Sequence, residues 1–336
     1  MGEKSQLTKK PAKKATTGKP AATPARTTTE QALRDLQKAM EGKSFANAEE
    51  ANAFLQTVVS SGLESLLDDV PLSAKDEAQE LAFEAMEAES DAQAVKLAKR
   101  ALRKDRDCVD ALVVLAEIES TSQKQLIVSL QKAVAAGERS LGAEFIAENK
   151  GHFWGIIETR PYMRALEKLA GLLRSEGINL DAIRHYETML ALNPNDNQGV
   201  RDPLLGLYLA TDSLGGAQKL LQDYENDAMA NFAWGRVLER FLSGDLVGAS
   251  AALHKARKAN RFVELYLSGR KALPKNLPQM YGMGSEEEAV LCLNDMSAAW
   301  AAHKEAAFWL FDQIETARPA AKKVRTNRLG KKRKRR

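Results

Sequence analysis

The chain has 336 residues, of which 44% are hydrophobic, enough apolar surface for one long core or two ordinary ones. Aromatics are only 6%, Gly and Pro number 21 and 10, and Ala, Leu, Glu, Lys and Gln recur throughout, a mixture that favours helices over strands and predicts an all-α class. The net charge of +4 hides a division: residues 1–29 carry +6, residues 317–336 carry +11, and the body between them carries −13.

Residues 1–29, rich in Lys, Ala, Pro and Thr, have almost nothing to bury, so a disordered basic tail is expected there. An N-terminal helical segment, 30–74, follows. Ala32, Leu33, Leu36, Ala39 and Met40 fall on one helical face, and Asn47 and Glu50 stand at capping-box spacing before a helix that carries Ala51, Phe54, Leu55, Val58 and Val59. The two helices are expected to form a small hairpin.

From Lys75 the helices come in pairs at a period near 34 residues, the length of a tetratricopeptide repeat. Small residues are needed where the two backbones of a pair cross. Ala78, Ala82 and Ala85 meet that need on a first helix, and Ala94, Ala98 and Ala101 on a second. Leu112, Leu115 and Ala116, then Val128 and Ala135, continue the phase. After an irregular stretch over 137–161, Leu166, Leu169, Ala170 and Leu173 open a third unit, which turns at Gly177, continues through Ala182, Tyr186, Met189 and Leu190, and closes at Pro194. Two further units carry Leu205, Tyr208, Ala217, Leu220 and Leu221, then Trp234, Val237, Leu238, Ala249, Leu253 and Ala256. The small residues Ala182, Ala217 and Ala249 are spaced by 35 and 32 residues, bracketing the repeat. The expected fold over 75–284 is therefore a right-handed α-solenoid of degenerate tetratricopeptide-like pairs. A helical pair over 285–316, opening with Ser285 and Glu288, would cover its last apolar face, and a second disordered basic tail, 317–336, would follow.

The repeats resemble the tetratricopeptide family. The stretches VDALVVLAEIES, LQKAVAAGERS, KARKANRFVELYLSGRKALP and GSEEEAVLCLNDMSAAWAAHKEAAFWL also resemble, in order and spacing over about 105–310, the suppression-of-tumorigenicity group of tetratricopeptide-like proteins. That resemblance implies a helical fold and no enzymatic site. The group is membrane-associated, whereas here cationic tails stand where membrane segments would be; a bacterial cytosolic relative fits that difference better.

Function is expected to be binding. The four histidines show no metal-ligand spacing, no phosphate-binding or nucleophile-elbow motif occurs, and neither cofactor nor metal is expected. Glu286, Glu287 and Glu288 read as a solvated first turn. The leading expectation is a protein-protein scaffold whose groove takes a peptide or helix. Its candidate residues are Trp154, Arg160 and Tyr162, which gather aromatic and basic groups where the repeat breaks, with Arg164 and Lys168, one turn apart on a first helix like part of a carboxylate clamp. The aromatic cluster reads more readily as packing for a gap in the solenoid, and the partner positions of a clamp are missing.

The alternative is a nucleic-acid- or ribosome-associated factor recruited through Arg325, Arg328, Lys331, Lys332, Arg333, Lys334, Arg335 and Arg336, a run able to neutralise several phosphates. The same run would serve simply as a solubilising tail, or as a nuclear address in a eukaryote. Neither tail has an aromatic residue for base stacking. Cys108 and Cys292 lack CxxC spacing, there is no apolar leader core, and no stretch reaches the ~18–20 apolar residues of a membrane span. A cytoplasmic protein is expected.

Overall fold

The computed structural model describes residues 24–40, 43–61 and 72–316, and among these residues the chain is all helical, without strands. The early helices are α1 (Pro24–Met40), α2 (Ala48–Ser61), α3 (Ala74–Glu87), α4 (Asp91–Lys104), α5 (Val109–Glu119), α6 (Gln123–Leu141) and the short α7 (Ala143–Glu148). Two 3-10 turns, Phe153–Gly155 and Ile157–Thr159, lead into α8 (Arg160–Ser175). After it come α9 (Asn179–Leu192), α10 (Arg201–Ala210), α11 (Leu214–Asp223), α12 (Ala230–Leu242), α13 (Leu246–Ala259), α14 (Val263–Leu267), α15 (Glu286–Ala302) and α16 (Lys304–Thr316).

The chain divides into two compact units, one formed by residues up to 146 with 155–165, the other by 147–154 with 166 onward. In the first unit α3 and α4 pack along their length and α5 lies on both. The contact is close because Ala78, Ala82, Ala85, Ala94, Ala98 and Ala101 are all fully buried, so little but Cβ atoms separates the backbones. Each helix begins where a side chain satisfies orphan amides. The Ser73 hydroxyl accepts from Asp76 N while Asp76 reaches back to Ser73 N, a complete capping box, and Ser90 and Ser122 cap α4 and α6.

In the second unit successive helices from α9 to α13 pack on their neighbours. The turn after α8 is closed by Ile178 N donating to Leu173 O at 2.9 Å. In the NPND loop the Asp196 carboxylate accepts from Val200 N and Arg201 N, at 2.8 and 3.1 Å, which starts α10.

Several expectations need correction. The first helix begins at Pro24, inside the expected tail, and it packs on α3 and the second 3-10 turn. Of its predicted apolar face only Ala39 is buried, while Ala32 and Leu33 are exposed, because the face turned inward is the one that carries Glu30, Arg34 and Lys38. The irregular stretch is shorter than 137–161: α6 continues to Leu141 and α8 starts at Arg160. In α5 Ala116 is buried as expected and Leu112 and Leu115 are half-buried, as is Ala135 in α6, but other positions of the two helices are enclosed more fully. Ala111, Val113, Val114, Leu130, Ala133 and Val134 are buried, whereas Val128 is exposed. A run as uniformly apolar as ALVVLA offers periodicity no preferred face. The basic residues 1–23 and 317–336, with Arg325, Arg328 and the final cationic run, lie outside the described residues.

Candidate helix-binding faces

The first helices of the pairs line one face in each unit, and in each unit that face carries a helix from an end of the chain. In the first unit the occupant is α1. Glu30, Arg34 and Lys38 recur at intervals of four, so they form a single stripe on the helix. Arg34 Nη2 lies 3.4 Å from Asp76 Oδ1, and Lys38 Nζ lies 3.5 Å from the same oxygen and 3.7 Å from Glu80 Oε1. Asp76 and Glu80 are themselves one turn apart on α3, so the two stripes match in register.

At the other end of the stripe Arg164, on α8, joins two acids. Its Nε and Nη2 donate to the two carboxylate oxygens of Asp110, on α5, at 3.1 and 2.5 Å. Its Nη1 and Nη2 donate to Glu30 at 2.6 and 3.2 Å. The Asp110 side chain is only 1% exposed and also accepts from Gln79 Nε2 at 2.7 Å. Burial works against the charge on Arg164, but Asp110 and Glu30 outweigh it and hold its pKa above the ordinary value. At Asp76 burial pushes upward, yet the Ser73 hydrogen bonds together with Lys38 and Arg34 leave the carboxyl below its usual range. Beside α1 a cavity of about 580 Å³ remains, lined by Arg34, Gln37, Lys75, Gln79, Ser140 and Tyr162 among others.

In the second unit the occupant is α15, which lies on α10 and α12. Here the contact is mainly apolar. Ala289, Val290, Cys292, Leu293, Met296, Ala299 and Trp300 are buried. The helix backbones approach so closely that a Cβ placed on Gly206 would stand 2.1 Å from the carbonyl oxygen of Asp295. Polar contacts fix the register. The buried Glu288 carboxylate accepts from Ala230 N at 2.9 Å, from Asn260 Nδ2 at 2.9 Å and from Gly284 N at 2.6 Å. Arg174 on α8 pairs with Asp295 at 2.7 Å, and the His303 Nε2 lies 2.7 Å from Leu209 O.

Two expectations are overturned by this arrangement. Glu288 is a buried cap for α12 as well as for α15, not a solvated residue. The pair over 285–316 is more than an end cap, since α15 covers the faces of α10 and α12.

Asp202 is an electrostatic mismatch at this interface. Half-buried as a residue, it has its Oδ1 shut off from solvent without a hydrogen-bond partner. Burial raises its pKa to about 7; Asn231 opposes the shift, while Asp295 and Asp227 add to it. Burial likewise pushes the Cys292 thiol well above its ordinary value. A further apolar cavity of about 550 Å³ opens among α14, α15 and α16, with Tyr266, Leu293, Trp300, Phe308, Phe311 and Ile314 in its wall.

The residues singled out in sequence separate. Trp154 is half-buried in a 3-10 turn and, with the exposed Lys168, belongs to the second unit. Arg160, Tyr162 and Arg164 belong to the first. Tyr162 is 4% exposed, its ring lies against Gly137 where a Cβ would come within 2.6 Å, and its hydroxyl faces Glu138 at 3.4 Å. It therefore packs the start of α8 against α6 and is not presented as a surface anchor. Arg164 has its charge engaged by Asp110 and Glu30, which leaves no free clamp for a carboxylate.

Sequence reading missed Glu30, Arg34, Lys38, Asp76 and Asp110 as a set. The matched spacing of four in both charge stripes was the available signal. Among the described residues no group of three or more His, Cys, Asp and Glu side chains is placed to hold a metal ion, and no helix is long and apolar enough to cross a membrane. Compared with known proteins, the chain matches no family model and no curated protein.

Proposed function

We propose that this chain is a non-enzymatic interaction scaffold of the tetratricopeptide-like kind, working in the cytoplasm, that binds a helical segment of a protein partner. The observation that carries the reading is that the face formed by the first helices of each unit holds a helix, once through ion pairs and once through apolar packing. Faces shaped for a helix of the same chain have the dimensions and chemistry to take another. Two buried free thiols, Cys108 and Cys292, suit a reducing compartment.

The test uses the full chain as an affinity bait beside the Arg164→Glu variant, with bound proteins quantified. The expected result is a specific partner that the wild type retains and the variant loses. Equal retention by both would remove the charged face from the binding role. The charge of +11 over 317–336 supports a second reading, attachment to nucleic acid or ribosomes through the tails. It calls for salt-sensitive RNA binding that disappears when that segment is removed.

A further inference from the structure

We infer that the α1 face of the first unit is an exchange site. It recognises, in place of α1, a partner helix presenting an acidic residue, an arginine and a lysine at successive intervals of four. The inference rests on the scaffold reading and names the partner chemistry of one of its two faces.

Three observations single out this face. First, what holds α1 is a charge pattern. Arg164 reads Glu30 through two nitrogens, and Asp76 with Glu80 reads Arg34 and Lys38. The order along the helix, acid then two cations, is therefore specified by fixed groups on α3, α5 and α8. A partner helix of the opposite polarity would bring its acid to Asp76 and its cations to Arg164, and like charges so opposed are repelled.

Second, α1 contributes little that is irreplaceable. Ala39 is its only buried apolar side chain among the described ones, and Leu33 remains 38% exposed. The α15 helix differs on every count. Its apolar residues are part of the core, and its backbone fits against Gly206 with no room for a methyl group.

Third, the face is larger than its occupant. The cavity beside α1, walled in part by the bonded pair Lys75 and Ser140 and by Gln79 held on Asp110, leaves room for an incoming segment bulkier than α1.

A tethered occupant competes at an effective concentration on the order of 1 mM. A partner therefore meets a masked site, and its apparent affinity rises when α1 is released. In this account the scaffold is held closed by its own helix until a better-matched stripe arrives.

The experiment uses the full chain and a fluorescent synthetic peptide of residues 24–43, read by anisotropy. Arg34→Glu with Lys38→Glu in the chain should release α1, because both new charges face Asp76 and Glu80. The expected result is at least about tenfold tighter binding of the peptide to this variant than to the wild type. A peptide carrying the same two reversals should not bind, and Arg164→Ala added to the released chain should abolish the gain. Equal binding to wild type and released chain, or binding to neither, overturns the proposal.

A measurement on the unaltered chain guards against misfolding of the variant. Carbodiimide should couple Lys38 to Asp76 or Glu80, and excess peptide should suppress the coupling. Coupling that excess peptide leaves untouched also overturns the inference. Peptide exchange with no cellular partner on either bait would sink the broader scaffold reading; a partner retained without peptide exchange would sink only this inference.

Discussion

The two ends of the chain meet their units by opposite physics. The α15 helix is held by burial: seven of its apolar residues are enclosed, and full burial of each large one contributes roughly 1.5–3 kcal/mol. The α1 helix is held by charge, through Arg164, Asp110 and Glu30 at one end and two basic residues over Asp76 and Glu80 at the other. Apolar burial is not screened by salt and demands a fitted shape, whereas ion pairs are screened and demand only a pattern. The first kind of contact builds a unit; the second suits a contact that has to be broken.

Changes that disturb shape should therefore act on α15 most strongly. Gly206→Ala forces a methyl group into the Asp295 carbonyl, a backbone atom that cannot rotate away. A loss of about 3 kcal/mol or more is expected, measured as a lower midpoint in urea, with no dependence on salt.

At the other face the largest effect belongs to Arg164→Ala, which leaves the buried Asp110 carboxylate with Gln79 as its remaining side-chain donor. A cost of about 3 kcal/mol is expected, because breaking a buried pair strands a charge. Arg164→Lys should recover only part of it, since an ammonium cannot reproduce the two-pronged contacts to both acids.

A third prediction separates the faces by pH. The ordinary Asp value is 3.8 and Asp202 stands at about 7 beneath α15, so the folded state favours its protonated form. The stability this group allows is fully present below pH 3.8 and is lost as pH rises through about 7. Asp202→Asn, which mimics the protonated form, should be more stable than wild type by roughly 2 kcal/mol at pH 8 and no more stable near pH 3.5. Chemical denaturation at the two pH values measures the difference; a gain of equal size at both would assign it to something other than ionisation. The smallest effect is expected from Lys38→Ala, about 0.5 kcal/mol at low salt and nothing measurable in 1 M salt, as for a partly solvated ion pair.

How much of this was legible in the sequence follows the same contrast. The alanine spacing of α3 and α4 and the apolar phase of α8 to α13 could be read directly, because close helix crossings restrict residue size at fixed intervals. Ser285 was legible as a cap, and its hydroxyl accepts from Glu288 N at 3.2 Å. The second role of Glu288 was not, because the amide of Ala230 that it satisfies lies 58 residues away. The placement of α15 was equally hidden. An apolar helix after a repeat can stack on the end or fold back over a face, and only the fit between Gly206 and Asp295 distinguishes the two. For α1 the apolar residues drew attention from the charged stripe that seats the helix, since a lone stripe of charges reads as a solvated face until its complement is placed opposite.

The contrast between the two helices is tested most directly by amide hydrogen exchange of the full chain at low salt and in 1 M salt. The account predicts that α1, over 24–40, loses its protection as salt rises while α15, over 286–302, keeps the protection of the core helices in both conditions. Protection of α1 that matches α15 at high salt would contradict it.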